Sequence, residues 1–146
     1  MSKLVAALFV YGTLCFPEIV GKLTGKSFQS RQAVLKGFQR KKVGNADYPA
    51  IIKNDYTEVT GILLYDVDAR SMQILSFYEG EDYRCEEQLV YLKKDKISAK
   101  VFIWNSDVED LEDDDWNPEE FLKNSFNLYL EKIIPDTMLD FSRFNK

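Results

Sequence analysis

The chain has 146 residues and a formal net charge of −5, and hydrophobic residues make up 45% of it. This length fits a single domain, residues 1–146, and the apolar content is too high for an intrinsically disordered chain. No apolar run approaches the roughly 20 residues that a membrane-spanning helix needs. The composition therefore excludes a disordered chain and favours a protein that acts away from the membrane.

Histidine is absent, and the two cysteines are Cys15 and Cys85. The lack of histidine excludes Ser-His-Asp and Cys-His catalysis and any zinc site that needs histidine. The cysteines form neither a Cys-x-x-Cys redox pair nor a Cys₄ metal site, and this usage favours a reducing, cytoplasmic setting. We therefore expect no metal and no cofactor, so any chemistry must come from carboxylates, hydroxyls, cations or backbone dipoles.

The negative charge is concentrated in one segment. Residues 107–120 contain nine of the 24 acidic residues and no lysine or arginine, so the rest of the chain is slightly basic. Residues 107–116, called the acidic segment below, are predicted to be a solvated loop. The cationic run Arg40, Lys41 and Lys42 is interpreted as a solvated strand end, and the chain lacks the basic face of a nucleic-acid-binding protein.

In the first third of the chain the apolar run Val5–Tyr11 predicts a central strand that is buried on both faces. A short helix is predicted over Glu18–Leu23, because Pro17 suits the first turn of a helix. The next strand is predicted over Ala33–Val43, with an interruption at Gly37.

The middle of the chain predicts two separate extended segments, Tyr48–Ile52 and Val59–Val67, followed by a helix that Asp66 or Asp68 can cap. The apolar stripe of this helix is Met72, Leu75 and Tyr78, and Gly80 ends it. Two further strands, Tyr83–Leu92 and Lys100–Asn105, are predicted to pair in antiparallel fashion.

A C-terminal helix is predicted over residues 117–134, with Asn117 as its cap, Glu120 completing a capping box, and Pro135 ending it. The residues expected on its packed face are Leu122, Phe126, Tyr129 and Ile133. Strands grouped around one helix, with a second helix packing on them, predict the α+β class with a mixed sheet.

Two places in this pattern could carry chemistry. Tyr11, Gly12, Thr13 and Leu14 follow the first strand, and a glycine at a strand exit can leave successive amides facing outward to bind an anion or an oxyanion. Glu79 falls at the C-terminal end of a helix, where the helix dipole and partial burial both raise the proton affinity of a carboxylate, as a general base near neutral pH requires.

Each of these features also has a structural interpretation. The glycine can be an ordinary turn residue, and Glu79 can be a solvated acid like its neighbours. Tyr83 is a candidate hydrogen-bond donor to a ligand or a buried structural tyrosine. Arg84 is expected to pair with Glu86 or Glu87 on the surface.

The order of these motifs resembles the gamma-glutamyl cyclotransferase-like superfamily. The residues that carry the resemblance are Leu8–Leu14, Tyr48-Pro49, Gly61, Phe77–Gly80 and Tyr83-Arg84. They fall between Leu8 and Asn105, about two thirds of the chain, and Trp116–Ile133 resembles the C-terminal helix of the plant avirulence-induced branch.

This resemblance implies a small mixed β-barrel with flanking helices, in which Glu79 is the general base and the Tyr11–Leu14 backbone holds a glutamyl group. Members release 5-oxoproline from gamma-glutamylamines or gamma-glutamyl peptides, so the implied partner is a small-molecule gamma-glutamyl substrate. Many members carry Asp at the position of Ser76, three residues before the glutamate.

Two alternatives remain open at the level of sequence. The chain could be a non-catalytic small-molecule-binding module on the same fold. It could also be an interaction module that acts through the acidic segment, although a solvated loop explains that charge equally well. The sequence identifies no protein partner.

Overall fold

The computed structural model describes residues 5–144. In it, five strands close into a barrel and helices pack against the barrel. The predicted domain limits, residues 1 and 146, lie outside the described residues. The strands are β1 Val5–Val10, β2 Ser30–Lys42, β3 Pro49–Asp68, β4 Tyr83–Tyr91 and β5 Lys96–Trp104. The helices are α1 Pro17–Thr24, α2 Ala69–Glu79, α3 Pro118–Asn124, α4 Phe126–Leu128 and α5 Ile134–Phe144, with a π-helical turn at Tyr129–Ile133 and 3-10 turns at Thr13–Cys15 and Val108–Asp110.

The strand order around the barrel is β1-β3-β2-β4-β5. Strand pairs are antiparallel except for β1 and β5, which run parallel and close the barrel. The predicted α+β class and the mixed β-barrel with flanking helices are therefore confirmed.

The first strand is buried on both faces, as its apolar run predicts. Leu8 and Val10 pack in the core beneath the helices, whereas Phe9 and Tyr11 belong to the core inside the barrel. Gly61 of β3 makes this close packing possible, because a side-chain carbon there would lie 2.3 Å from the carbonyl oxygen of Val10. The end of β1 is thus fixed from both sides.

Local capping residues end the first two helices where the sequence indicates. Gly25 follows α1 with a left-handed φ of 73°, and Gly80 follows α2 with a φ of 84°. The carboxylate of Asp68 accepts hydrogen bonds from the Ser71 amide at 3.2 Å and the Ser71 hydroxyl at 2.7 Å, which caps α2. The structure also confirms the antiparallel pairing of β4 and β5.

The separation of Tyr48–Ile52 from Val59–Val67 is wrong, because β3 runs through both segments. Lys53 pairs with Phe38 and Glu58 pairs with Lys36, so the residues between them form a bulge opposite Gly37. Gly37 has a φ of 83°. The expected interruption at Gly37 is real, and it bends the β2–β3 ladder without ending it.

The predicted end of the C-terminal helix at residue 134 is also wrong. Asn117 caps α3 as expected, but the helix breaks at Ser125, where φ is −130°. Helical backbone then continues across Pro135 to Phe144. The π-helical turn ends at Ile133, two residues before Pro135, and its wider hydrogen-bond spacing accommodates a residue without an amide hydrogen.

The break at Ser125 changes which side chains of α3 are packed. Leu122, predicted on the packed face, is 51% exposed, and Phe121 is buried in its place. The rings of Phe121 and Tyr129 lie 4.9 Å apart.

The acidic segment is largely exposed, and it is also paired with the cationic run, a contact that the sequence did not predict. The Arg40–Asp115, Lys41–Asp113 and Lys42–Glu112 ion pairs measure 2.7, 3.5 and 3.6 Å. Backbone hydrogen bonds join the same segments, from the Lys42 amide to the Asp114 carbonyl at 3.0 Å and from the Glu112 amide to the Lys42 carbonyl at 2.8 Å.

Within residues 5–144 we find no helix that combines the length and the apolar character needed to cross a membrane.

Candidate active site

The Tyr11–Leu14 turn follows directly from the end of β1. Gly12 has φ −131° and ψ −130°, and the Cys15 amide donates to the Gly12 carbonyl at 3.0 Å, which closes the first 3-10 turn. A side-chain carbon on Gly12 would lie 2.7 Å from the Pro49 ring, so glycine lets the turn pack on the start of β3. The first amides of such a turn, those of Thr13 and Leu14, have no partner within it.

Glu79 is the last residue of α2 and is partly buried, whereas Glu81 and Asp82 are exposed. Burial raises the pKa of the Glu79 carboxyl to about 8. After burial itself, the charge of Glu79 is the largest cause that raises the pKa of the Tyr11 hydroxyl. Glu79 is therefore an acid held near its protonation midpoint at slightly alkaline pH, as a general base near neutrality requires.

An inner cavity of about 20 Å³ brings the turn and the acid together. Its lining includes Glu79, Pro49 and all four turn residues, Tyr11–Leu14. The turn and α2 are also joined directly, because the Thr13 hydroxyl and the Tyr78 hydroxyl form a hydrogen bond of 2.8 Å. The acid and the amide turn that the sequence singles out thus line one cavity, while their chemical roles remain predictions.

An outer cavity of about 150 Å³ adjoins the inner one, with which it shares Thr13, Tyr48 and Glu79. The other residues that line it are Tyr78, Tyr83, Tyr129, Ile133 and Thr137. The outer cavity therefore connects Thr13 and Glu79 with the C-terminal helical segment, while the inner cavity has room for about one water molecule.

The hydroxyls of Tyr11 and Tyr83 are engaged by the protein backbone. Tyr11 donates to the Phe102 carbonyl, and Tyr83 donates to the Pro49 carbonyl at 2.7 Å. Burial is the main cause that raises the pKa of both hydroxyls. Tyr83 lines the outer cavity with its ring, and its hydroxyl fixes Pro49, which packs on Gly12.

Three other residues considered from sequence lie outside this arrangement. Ser76 is exposed and lines an open groove that does not include Glu79. Arg84 pairs with Glu86 and donates to the Trp104 carbonyl at 2.8 Å, in agreement with the surface interpretation. Burial raises the pKa of the Cys15 thiol to about 12, so it packs as a protonated side chain.

Sequence reasoning missed the part of the site that the C-terminal segment supplies. Tyr129, Ile133 and Thr137 follow one another at intervals of four residues, the spacing of one helix face. That spacing was detectable in the sequence, but the expectation that Pro135 ends the helix removed Thr137 from it. Arg40 was missed for a different reason, since its contact with the turn joins residues that lie 29 positions apart in the sequence.

Among residues 5–144, no group of three or more Asp, Glu or Cys side chains is arranged to hold a metal ion.

A barrel with an acid and an amide turn at one cavity defines a class of small α+β proteins. Comparison with known sequences identifies the family within this class to which the chain belongs. Residues 8–118 match the family described as gamma-glutamyl cyclotransferase, AIG2-like. The chain therefore belongs to this family. AIG2-like protein C of Arabidopsis thaliana is 30% identical over 123 residues, which cover 82% of this chain and 71% of that protein.

Solved structures of other proteins have the same fold. A solution structure from Arabidopsis thaliana superposes with a TM-score of 0.69 at 24% identity, covering 91% of each chain. A structure named gamma-glutamyl cyclotransferase gives a TM-score of 0.63 at 15% identity, covering 75% of this chain and 69% of the other. At these identities the likeness concerns the fold.

Proposed function

We propose that this protein is a gamma-glutamyl cyclotransferase that releases 5-oxoproline from a gamma-glutamylamine or gamma-glutamyl peptide, with Glu79 as the general base. One observation carries the proposal: Glu79 and the Tyr11–Leu14 turn line the same cavity. Family membership supports the same reaction class.

The reaction suits a site built from a carboxylate and amides. The α-amine nitrogen of the substrate attacks its own γ-carbonyl carbon, the bond from that carbon to the leaving nitrogen breaks, and 5-oxoproline and a free amine result. Glu79 takes a proton from the attacking nitrogen and returns it to the leaving nitrogen. Because attacker and carbonyl share one chain, holding that chain in its ring-closing conformation supplies several kcal/mol.

The proton affinity of Glu79 matches this task. Burial raises the pKa of Glu79 to about 8, which brings it closer to the pKa of an amine than an exposed glutamate would be. Proton transfer from the attacking nitrogen is therefore closer to balance in free energy, the condition under which a positioned base contributes about 10²–10⁴-fold in rate.

The turn supplies the complementary interaction. Amides of Thr13 and Leu14 can stabilise the oxyanion that develops on the γ-carbonyl, at roughly 3 kcal/mol for each donor, or they can bind the α-carboxylate of the substrate. The leaving group then lies in the outer cavity, against Tyr129 and Ile133. These two roles of the turn differ kinetically, since an oxyanion contact acts on kcat and a ground-state contact on KM.

The test is a panel of gamma-glutamyl compounds incubated with the protein, followed by quantification of 5-oxoproline. We expect turnover of at least one compound and a loss of about 100-fold or more in Glu79→Gln, which keeps the side-chain shape but removes the base. Glu81→Gln is the matched control, because Glu81 is an exposed acid two residues away, and its activity should stay within about twofold.

Two results would overturn this assignment. Full activity in Glu79→Gln would remove Glu79 as the base. Saturable binding of a gamma-glutamyl compound without any 5-oxoproline release would favour the non-catalytic binding module instead.

A further inference from the structure

The acidic segment and the candidate active site meet at a single side chain. Arg40 of β2 directs one guanidinium nitrogen, Nη1, to the carbonyl oxygen of Tyr11, 2.7 Å away. Its other two nitrogens donate to the carboxylate of Asp115, from Nε at 2.7 Å and from Nη2 at 3.1 Å. Arg40 thus connects the first residue of the amide turn to the acidic segment.

The surroundings hold this arginine in one orientation. Its guanidinium carbon lies 5.5 Å from the centre of the Trp116 ring, within the range of a cation–π contact. The Asp115 carboxylate also accepts from the Trp116 amide at 2.7 Å, and the Trp116 indole donates to the Asp47 carbonyl at 2.7 Å. The acidic segment therefore fixes Arg40 and also contacts the backbone next to Tyr48, which lines both cavities.

We propose that Arg40 is a positioning residue for the Tyr11–Leu14 turn and that the acidic segment orients it through Asp115. The consequence for catalysis rests on the proposed function, but the positioning itself does not. A carbonyl bound by a guanidinium is held more firmly than one bound by a neutral donor. Fixing the Tyr11 carbonyl fixes the peptide plane that leads into Gly12, and so the direction of the Thr13 and Leu14 amides.

Lysine can replace arginine only in part in this arrangement. A guanidinium reaches two partners at once with a rigid, planar set of donors, whereas a lysine ammonium is a single point of charge. Of the two neighbouring cations, Lys41 pairs with Asp113 and Lys42 pairs with Glu112, both in the acidic segment. Their ammonium groups support the docking of this segment, and the contact with the turn is made by Arg40.

The first test needs no substrate. The order parameters of the Gly12, Thr13 and Leu14 amides are measured by nuclear magnetic resonance in the full chain. We expect wild-type values typical of rigid backbone, about 0.85, and values below about 0.6 in Arg40→Gln. The matched control is Lys41→Gln, which removes the same charge from the adjacent residue and should leave the three amides rigid.

A second variant separates positioning from folding. Asp115→Asn leaves Arg40 in place but weakens its paired hydrogen bonds, and Asp115 has a 59% exposed side chain, so the substitution leaves the core intact. We expect mobility in the turn intermediate between wild type and Arg40→Gln, with rigid amides in the barrel core at Leu63 and Val101. Unchanged order parameters in both Arg40→Gln and Asp115→Asn would overturn the proposal.

The kinetic test uses the gamma-glutamyl compound that the panel shows to be turned over. Arg40→Gln should lower kcat/KM by about tenfold or more, Arg40→Lys should recover only part of it, and Lys41→Gln should stay within about twofold. Equal kinetics for Arg40→Gln and Lys41→Gln would overturn the catalytic consequence. If no compound is turned over, the proposed function fails, and the order parameters alone decide whether Arg40 positions the turn.

Discussion

The hydroxyls of Thr13 and Tyr78 lie 2.8 Å apart, although 65 residues separate them in the sequence. Thr13 belongs to the amide turn, and Tyr78 directly precedes Glu79 on α2. This hydrogen bond therefore sets the distance between the turn and the candidate base. Burial raises the pKa of Tyr78 well above its usual range, while the bond to Thr13 acts in the opposite direction.

Removing this hydrogen bond should impair catalysis more than folding. We expect Thr13→Val, which keeps the side-chain shape, to lower kcat/KM by about fivefold, because one neutral hydrogen bond is worth about 1 kcal/mol and its loss frees the turn. Thr24→Val is the matched control, since its hydroxyl donates to the Val20 carbonyl at 2.7 Å in α1. If the double variant Thr13→Val with Tyr78→Phe loses as much kcat/KM as the two single losses combined, the two hydroxyls do not act as one unit.

The pH dependence of activity should report the base. Since a general base works in its deprotonated form and burial raises the pKa of Glu79 to about 8, kcat/KM should rise with pH through neutrality and level off above about pH 9. The α-amine of the substrate titrates in the same pH range, so the activity profile does not by itself assign the pKa to Glu79. The assignment therefore requires a titration of the enzyme without substrate. A carboxyl titration by carbon resonance should show one glutamate with a midpoint near 8 that disappears in Glu79→Gln. Detection of all glutamates titrating near 4.5 would contradict a buried base.

The same acid should cost folding stability at alkaline pH. In the unfolded chain Glu79 ionises around pH 4.5, whereas in the folded protein it holds its proton to about pH 8. Between these values the folded state binds more protons, so this group lowers stability as the pH rises. Glu79→Gln should therefore be more stable than wild type by about 2–4 kcal/mol at pH 9 and equal to it near pH 4.

Urea unfolding at pH 4, 7 and 9 checks this expectation, with Glu81→Gln as the control for loss of an exposed acid. The difference between wild type and Glu79→Gln must grow with pH. A difference that is constant with pH would mean that the carboxyl is not buried in its neutral form.

Gly61 should be intolerant of a side chain, because the approach of a neighbouring atom is closer there than at any other glycine of the chain. Its added carbon would lie 2.3 Å from the Val10 carbonyl oxygen, so Gly61→Ala should destabilise the fold by about 2–4 kcal/mol. Gly21→Ala should instead stabilise by about 0.5–1 kcal/mol, because the position is helical and the nearest atom is 3.9 Å away. Thermal unfolding of both variants compares them, and a Gly61→Ala protein as stable as wild type would contradict the close packing of β1 on β3.

Filling the outer cavity should change which leaving groups are accepted. Ile133 lines this cavity, so Ile133→Trp should raise KM about tenfold for a gamma-glutamyl phenethylamide and leave a gamma-glutamyl methylamide within about twofold. Leu139→Trp is the control on a 51% exposed position of α5. Equal effects of Ile133→Trp on both amides would mean that the leaving group lies elsewhere.

Much of the local structure follows from neighbouring residues. The apolar run of β1, Pro17 at the start of α1, the Asp68 cap and Gly80 act within one turn or one strand, and each has the predicted effect. The order of the motifs around Gly12 and Glu79 was likewise sufficient to indicate the family, which the sequence match over residues 8–118 confirms.

What the sequence alone determined, then, were the elements whose causes are local, together with the residue types available for chemistry. The burial of Glu79, the pairing of Arg40 with Asp115 and the continuation of the helix across Pro135 depend on segments that are distant in sequence or on a π-helical turn close to the proline. Desolvation and ion pairing act over a few ångströms in space. Only the closed barrel therefore determines that Glu79 is the acid that is desolvated and that Arg40 is the cation that contacts the turn.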